Sequence, residues 1–294
     1  MDIVILNYNS ATDTSSLVNS IVKMESLIEH IYIVDNHSSD PNDKEILRGI
    51  VQTKKGNTNI SLILSEKNAG YAAGNNLGIK ESVRRNPRGL IAIANPDIKI
   101  SKKSLEIISS NFDEFKTREE KVGLISPWVI NKGTRGEVAW KLPNLFSDII
   151  ASSFIVKKMF GNILSYRNLK RNTGLKEVEV LPGSLLIFDK QAIKDIGFFS
   201  ERTFLYCEER IIAKKLKDKN YRSYLNTDIT YLHEHSKTIN KFVDFKRKID
   251  YLYDGKVIYY KYYYKSRVAA FIVNLFRFYT KMEMQLVYFL KKEK

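Results

Sequence analysis

Five short apolar runs return along the first half of the chain, spaced so that one helix fits between each pair: Asp2–Leu6, Ile31–Val34, Ile60–Leu64, Leu90–Ala94 and Val122–Ser126. Four to six β-branched and aliphatic residues are the length of a strand. Between the runs the period changes. Leu17, Ile21, Val22 and Met24 recur at helical spacing, and helices are expected near Asp43–Val51, Tyr71–Arg85 and Ser104–Phe115. Parallel strands need such crossovers, so the rhythm predicts an α/β fold with a mainly parallel sheet flanked by helices.

Ligands of an open α/β sheet bind outside the C-terminal ends of its strands. Those ends are polar three times over: Asn7-Tyr8-Asn9-Ser10, Asp35-Asn36-His37-Ser38-Ser39-Asp40 and Asn95-Pro96-Asp97. Pro96 cannot donate to a ladder, so it stops the fourth strand and leaves the Asp97 carboxylate at its end. Each cluster alone has a plain reading, because Asn, Asp and Pro are ordinary turn formers. A structural protein has little need to repeat the placement.

Charge and cysteine content narrow the classes. With 48 Lys and Arg against 33 Asp and Glu the chain carries +15, which favours an anionic partner. The basic excess is concentrated after Lys241 among Tyr and Phe, while the strand-end loops are rich in Asn and Asp, a distribution that argues against nucleic acid. A single cysteine, Cys207, allows no disulfide framework and no cysteine-built zinc site. With no signal-like leader and no apolar stretch of bilayer length, a cytoplasmic location is expected.

Beyond Pro127 the rhythm fades. Trp128–Lys176 reads as an insertion over the sheet, followed by a strand over Glu177–Phe188 broken at Pro182-Gly183, where the backbone can approach a ligand closely. A short helix over Lys190–Asp195, a helix from Tyr206-Cys207-Glu208-Glu209 to Lys219, and strands at Tyr221–Leu225 and Ile229–Leu232 follow, with His233 and His235 directly after.

Taken in order, ILNYN at the first strand, VDNHSSD at the second, NAGYAAGNNLGI at Asn68–Ile79, NPD at Asn95–Asp97, LPGSLLIFDKQAIKDIGFFSERTFLYCEE at Leu181–Glu209 and LHEHSKT at Leu232–Thr238 resemble glycosyltransferase family 2, in its rhamnosyltransferase-like branch. The resemblance implies a GT-A fold for residues 1–240, a nucleotide-sugar donor, a Mg²⁺ or Mn²⁺ ion, and transfer with inversion at the anomeric carbon. The sugar it implies is L-rhamnose from dTDP-rhamnose, or a hexose from a UDP-sugar, passed to a glycan or lipid-linked saccharide in cell-surface polysaccharide (capsule) synthesis.

The same resemblance distributes roles. It implies that Tyr8 packs on the base with Asn9 beside it, and that Asp35 and Asn36 accept hydrogen bonds from base or ribose. Asn68, Gly70 and Asn75 pass the donor. Asn95, Pro96 and Asp97 form the metal motif with Asp97 as ligand; Asn95-Pro96 stand where other branches carry a further acidic residue, so metal affinity should be weak and depend on bound donor. Glu209 is the implied base, with Glu208 before it, where the family usually has Glu-Asp. Adjacent helical residues point about 100° apart, so one of the two glutamates is expected to face the acceptor. His233, ahead of His235, is the implied second metal or diphosphate contact, and Ile211 replaces a further acidic position. Two alternatives stand beside this reading. A nucleotidyltransferase would carry a glycine-rich basic fingerprint after the first strand, which Asn7-Tyr8-Asn9-Ser10 is not. A non-catalytic relative would have lost Asp97 or both glutamates.

Residues 241–294 fall outside the resemblance. Tyr259 to Lys265 are five Tyr and two Lys, Val268–Phe276 is apolar but for Asn274, and Phe278, Met282, Leu286, Phe289 and Leu290 continue at helical period. Basic residues beside aromatic ones on an amphipathic helix suit an anionic membrane surface, which makes the protein peripheral on the inner face of the cell membrane. The competing reading is a helical hairpin packed on the catalytic domain or forming a homodimer.

Overall fold

The computed structural model describes all residues but 54–58, 132–133, 136–137, 154–160, 162, 167–168, 170–172, 235–243 and 293–294. Its first half follows the alternation of the sequence: β1 (Asp2–Asn7), α1 (Ala11–Ile21), β2 (His30–Asp35), α2 (Pro41–Thr53), β3 (Asn59–Leu64), α3 (Tyr71–Arg85) and β4 (Leu90–Ala94). These strands pair in parallel in the order β3-β2-β1-β4, and all five residues of β4 are buried. A fully buried aliphatic side chain contributes about 1.5–3 kcal/mol, so this apolar ladder largely fixes the register. Register then dictates the strand ends: Asn7 lies opposite Asp35.

Helix α3 packs close on β1. A Cβ on Gly74 would come 2.5 Å from Leu6 Cδ1, so this glycine serves helix-to-sheet packing. At the start of β1, Lys190 reaches Asp2 at 2.8 Å in a buried ion pair that also takes the Ser82 hydroxyl.

The second half departs from the sequence reading in four places. After Asp97 the chain makes a short strand, β5 (Ile98–Ile100), before α4 (Lys102–Thr117). The fifth apolar run extends through Pro127 to Asn131 as β6 (Val122–Asn131), so Trp128 belongs to the sheet and is buried; the insertion begins after it, with β7 (Thr134–Arg135) and α5 (Leu145–Ser152). The stretch expected as one broken strand is two: β8 (Leu175–Val178) pairs antiparallel with Ser223–Asn226, and β9 (Leu185–Asp189) inserts antiparallel between β4 and β6. Pro182-Gly183 separates them because the chain changes partner there. Finally, Tyr221–Leu225 and Ile229–Leu232 are one strand, β10 (Arg222–His233), with an irregularity between Asn226 and Thr230. Between β9 and β10 lie α6 (Lys190–Asp195) and α7 (Glu208–Asp218). The sheet's main path runs β3-β2-β1-β4-β9-β6-β10-β5, mixed where β9 and β5 enter it, with β7 paired to β6 and β8 to β10 off that path.

The chain ends in α8 (Phe245–Ile258), a π-helical turn (Tyr259–Tyr263) and α9 (Arg267–Lys292). Their inner faces form a second, smaller core: Ile249, Tyr253, Tyr259, Tyr260, Ala270 and Val273 close on Ile211 of α7. No helix is long and apolar enough to cross a membrane among the described residues.

Candidate active site

The antiparallel insertion of β9 assembles the site. Because Leu185 pairs with Ala94, the bend Pro182-Gly183-Ser184 arrives beside the end of β4, where the Asn95 N–H donates to the Ser184 carbonyl at 2.9 Å. On the far side, β5 pairs with β10 so that Ile98 faces His233. One residue before Ile98, the Asp97 Oδ1 lies 3.2 Å from His233 Nε2. The start of α7 closes the group. A cavity of about 270 Å³ results, lined by Tyr71, Asn95, Gly183, Glu208, Glu209 and His233 among others. Asp97 adjoins it through His233.

Tyr206 and Cys207 have φ of 71° and 70°, two side-chain-bearing residues in the left-handed region just before α7. Such backbone costs on the order of 1–3 kcal/mol per residue, and it turns the chain so that α7 begins at the cavity. Both glutamates of the first turn therefore line it. This corrects the expectation that only one would: the 100° separation governs residues seen from the side of a helix, whereas this cavity lies off its end.

Gly183 packs directly against the Glu209 carboxylate. A Cβ there would stand 2.7 Å from Glu209 Oε1, so any larger residue would displace the carboxylate. The Gly183 N–H bonds that carboxylate, while its carbonyl accepts from Tyr71 OH at 2.8 Å. Burial raises the pKa of Glu208, and the adjacent Glu209 charge raises it further. Burial also raises Glu209, against the pull of Arg210 and the Gly183 N–H. Two carboxylates side by side disfavour carrying two negative charges at once. Burial and the same two charges raise the Tyr71 phenol as well.

Behind Glu209 sits a buried ionic cluster that sequence reasoning missed. Arg210 of α7 meets Asp148 of α5 at 2.7 Å, and Lys256 of α8 meets the same carboxylate at 2.9 Å. Burial alone would raise Asp148; the two cations outweigh it and hold its pKa at about 2. Its members come from an aperiodic insertion, a helix and the C-terminal region, with no local motif to join them. Cys207, pushed up to about 12 by burial, is an inert packing residue.

The residues expected to hold the nucleoside form two groups apart from this cavity. Asp35 is buried, its Oδ1 accepting from Asn7 Nδ2 at 3.3 Å, Ser38 N at 3.2 Å and Ser38 Oγ at 2.5 Å. Asn9 Oδ1 accepts from Ser39 N at 2.9 Å, and Tyr8 beside it is partly exposed. In the second group, Asn36 Nδ2 donates to Asn68 Oδ1 at 3.0 Å and Gly70 O at 3.3 Å. Gly70, at φ 95°, presses on Phe204, whose carbonyl takes the Tyr71 N–H. Asn75 donates to the Tyr71 carbonyl, so this group connects to the cavity through Tyr71. The Asn36 and Asn75 Oδ1 atoms are buried without hydrogen-bond partners among the described residues.

One carboxylate oxygen and one imidazole nitrogen 3.2 Å apart fit adjacent ligands of a divalent cation, which at about 2.1 Å bonds lie roughly 3 Å from each other. No group of three or more such side chains occurs among the described residues. A cation there would take its remaining ligands from phosphate and water. His235 lies outside the described residues.

Comparison with known proteins fits this arrangement. Residues 2–120 match the family model described as glycosyl transferase family 2. A curated relative, the low-salt glycan biosynthesis hexosyltransferase Agl10 of Haloferax volcanii, is 25% identical over 225 residues; the match covers 75% of this chain and 62% of that protein, so the chain spans less than two thirds of its length. Among solved structures, mannosyltransferase PcManGT from Pyrobaculum calidifontis, in complex with GDP-Man and Mn²⁺, aligns over 90% of this chain and 64% of its own, with a TM-score of 0.56 at 13% identity. S. aureus TarS 1–349 aligns over 89% of this chain and 72% of its own, with a TM-score of 0.52 at 16% identity. At such identities the likeness concerns the fold, which is GT-A.

Proposed function

We propose that this chain, whose residues 2–120 match the glycosyl transferase family 2 model, is an inverting hexosyltransferase acting on a nucleotide-sugar donor in glycan synthesis. The observation that carries the reading is the shared cavity, in which Glu209 and the partner of Asp97 meet. The acceptor hydroxyl oxygen attacks the anomeric carbon, its proton passes to Glu209, and the bond from that carbon to the diphosphate oxygen breaks, releasing the nucleoside diphosphate. Glu209 suits the proton transfer because burial raises its proton affinity towards the working pH. The Glu209 charge in turn raises the proton affinity of Glu208. Gly183 and Tyr71 set the position of the carboxylate.

Asp97 and His233 would hold a Mg²⁺ or Mn²⁺ ion, whose chemistry is to neutralise the departing diphosphate as a Lewis acid. Asn95 and Pro96 shape the loop that presents Asp97. Tyr8, Asn9 and the Asp35-Asn36 turn would receive the nucleoside, with Asn68, Gly70 and Asn75 along the path to the sugar. Asp35 acts there chiefly by fixing the loop, since its Oδ1 is taken by the loop itself. The rhamnosyltransferase-like motifs favour dTDP-rhamnose, with UDP-hexoses next, and the acceptor is a saccharide or lipid-linked saccharide of a capsule-type polymer. The outer face of the last helix supports a location on the inner surface of the cell membrane.

A thermal-shift screen of nucleotide sugars with and without Mn²⁺ tests the reading. One donor should stabilise the protein only when metal is present, and Asp97→Ala should abolish the shift. Stabilisation that survives Asp97→Ala unchanged, or no stabilisation by any nucleotide sugar, would falsify it.

A further inference from the structure

Helix α9 has two unlike faces. The inner one, through Ala269, Ala270, Val273 and Thr280, is buried against the smaller core and α8. The outer one carries Val268, Phe271, Leu275, Phe278 and Met282, each more than half exposed. Their spacing of three and four residues makes one continuous apolar stripe roughly 21 Å long. A stripe of this size on an exposed surface marks a docking face.

The charge around the stripe identifies what docks. From Tyr259 to Met282 the chain contains no acidic residue. Arg277 and Lys281 turn away to Asp250 and Asp254 of α8, and Glu283 is buried, accepting from Ser153. At the N-terminal end of the stripe Lys261, Lys265 and Arg267 are exposed and make no ion pair among the described residues, beside the exposed rings of Tyr262 and Tyr264. A second copy is a poor occupant. If the stripe supplied the a and d positions of a coiled coil, the flanking g positions would be Arg267, Asn274 and Lys281, and the e positions Ile272 and Tyr279. Lys281 is already paired with Asp250 of α8, and no carboxylate would answer Arg267 in either orientation. A bilayer with anionic headgroups satisfies both parts, the stripe entering the acyl boundary and the cationic end meeting phosphate.

We propose that the outer face of α9, Val268-Phe271-Leu275-Phe278-Met282 with Lys261, Lys265 and Arg267 at its head, docks the protein in plane on an anionic lipid bilayer. This deepens the membrane location given above and rests on it, but not on the transfer chemistry. The test is co-sedimentation of the full chain with phosphatidylcholine vesicles made with and without phosphatidylglycerol, at low and high salt. Binding should be at least about tenfold stronger to the anionic vesicles and should fall with salt. The double substitution Phe271→Glu, Phe278→Glu, at exposed positions, should abolish binding while leaving the melting temperature and any donor-induced thermal shift unchanged. Reversing Lys261, Lys265 and Arg267 to Glu should erase the preference for anionic vesicles. Wild-type protein that ignores both vesicle types, or glutamate variants that bind like wild type, overturns the proposal. So does a dimer in sedimentation equilibrium that the double substitution dissolves, because the face then belongs to a second copy. A failed donor screen with intact vesicle binding would sink the transfer reading and leave this one standing.

Discussion

Two pairs of carboxylates in this molecule meet opposite fates. At the ends of β1 and β2, Asp35 and Asp43 are hydrogen-bond hubs: Asp43 Oδ2 accepts from Asn7 Nδ2 at 2.9 Å, Ser10 N at 2.8 Å, Ala11 N at 3.2 Å and Ser38 Oγ at 3.3 Å. At the start of α7, Glu208 and Glu209 lie side by side, and Glu208 Oε1 is buried with no hydrogen-bond partner among the described residues. Asp35, Asp43 and Glu208 are buried and Glu209 partly so, and burial therefore does not separate anchoring from chemistry. The supply of donors does. Where several N–H and O–H groups converge on one oxygen, a carboxylate fixes a loop; where an oxygen such as Glu208 Oε1 is left without a donor and a second carboxylate stands beside it, proton affinity rises and the pair is suited to take a proton.

That contrast can be broken at its strongest point first. Glu209→Gln removes the proposed base, and transferase activity should fall about a thousandfold, on the order of 4 kcal/mol in barrier, with no loss of melting temperature. Activity within tenfold of wild type would move the role elsewhere. Asp43→Ala should act in the other currency. It strands several buried donors and should cost about 3 kcal/mol in urea unfolding, with residual activity tracking the folded fraction. A hub that could be removed at no cost in stability would erase the distinction drawn here.

Smaller effects sharpen it. Gly183→Ala puts a methyl 2.7 Å from Glu209 Oε1 and should lower kcat about a hundredfold while the protein remains folded, as a misplaced catalytic group does. Glu208→Gln is the mildest. Burial and the Glu209 charge already favour the neutral form of Glu208, so a neutral amide there should move the rising limb of the pH–rate profile by less than about one unit. Stability carries the same signature. Both folded-state pKa values are raised, so the pair's contribution is fully present below the ordinary glutamate value of about 4.3 and is lost as pH rises through the folded values. Wild-type melting temperature should therefore fall from pH 5 towards neutrality and above, and the variant should fall less.

The parallel half of the fold was legible because each strand and helix there declares itself within a dozen residues. The helix over Lys190–Asp195 and the start of α7 were legible for the same reason. The antiparallel insertion of β9 was not, since a fully buried strand reads alike in either direction. Trp128 looked like the start of an insertion because Pro127 precedes it, yet β6 runs through that proline. Among the site residues, Asn95, Glu208, Glu209 and His233 line one cavity, whereas Tyr8, Asn9 and Asp35 gather elsewhere and Asn36, Asn68, Gly70 and Asn75 lie between. Tyr71 escaped notice because beside Gly70 it looks like any first residue of a helix.

By itself, then, the sequence determined which residue types stand at the ends of which strands, because apolar period and turn chemistry are local properties. The tertiary structure alone decided which of those ends meet. Asp97 comes to His233 through the pairing of two strands more than a hundred residues apart, and Glu209 comes to Gly183 through a reversal of strand direction. The ionic cluster of Asp148, Arg210 and Lys256 likewise exists only after three distant segments have packed, because Coulomb attraction between buried groups depends on separation in space and not along the chain.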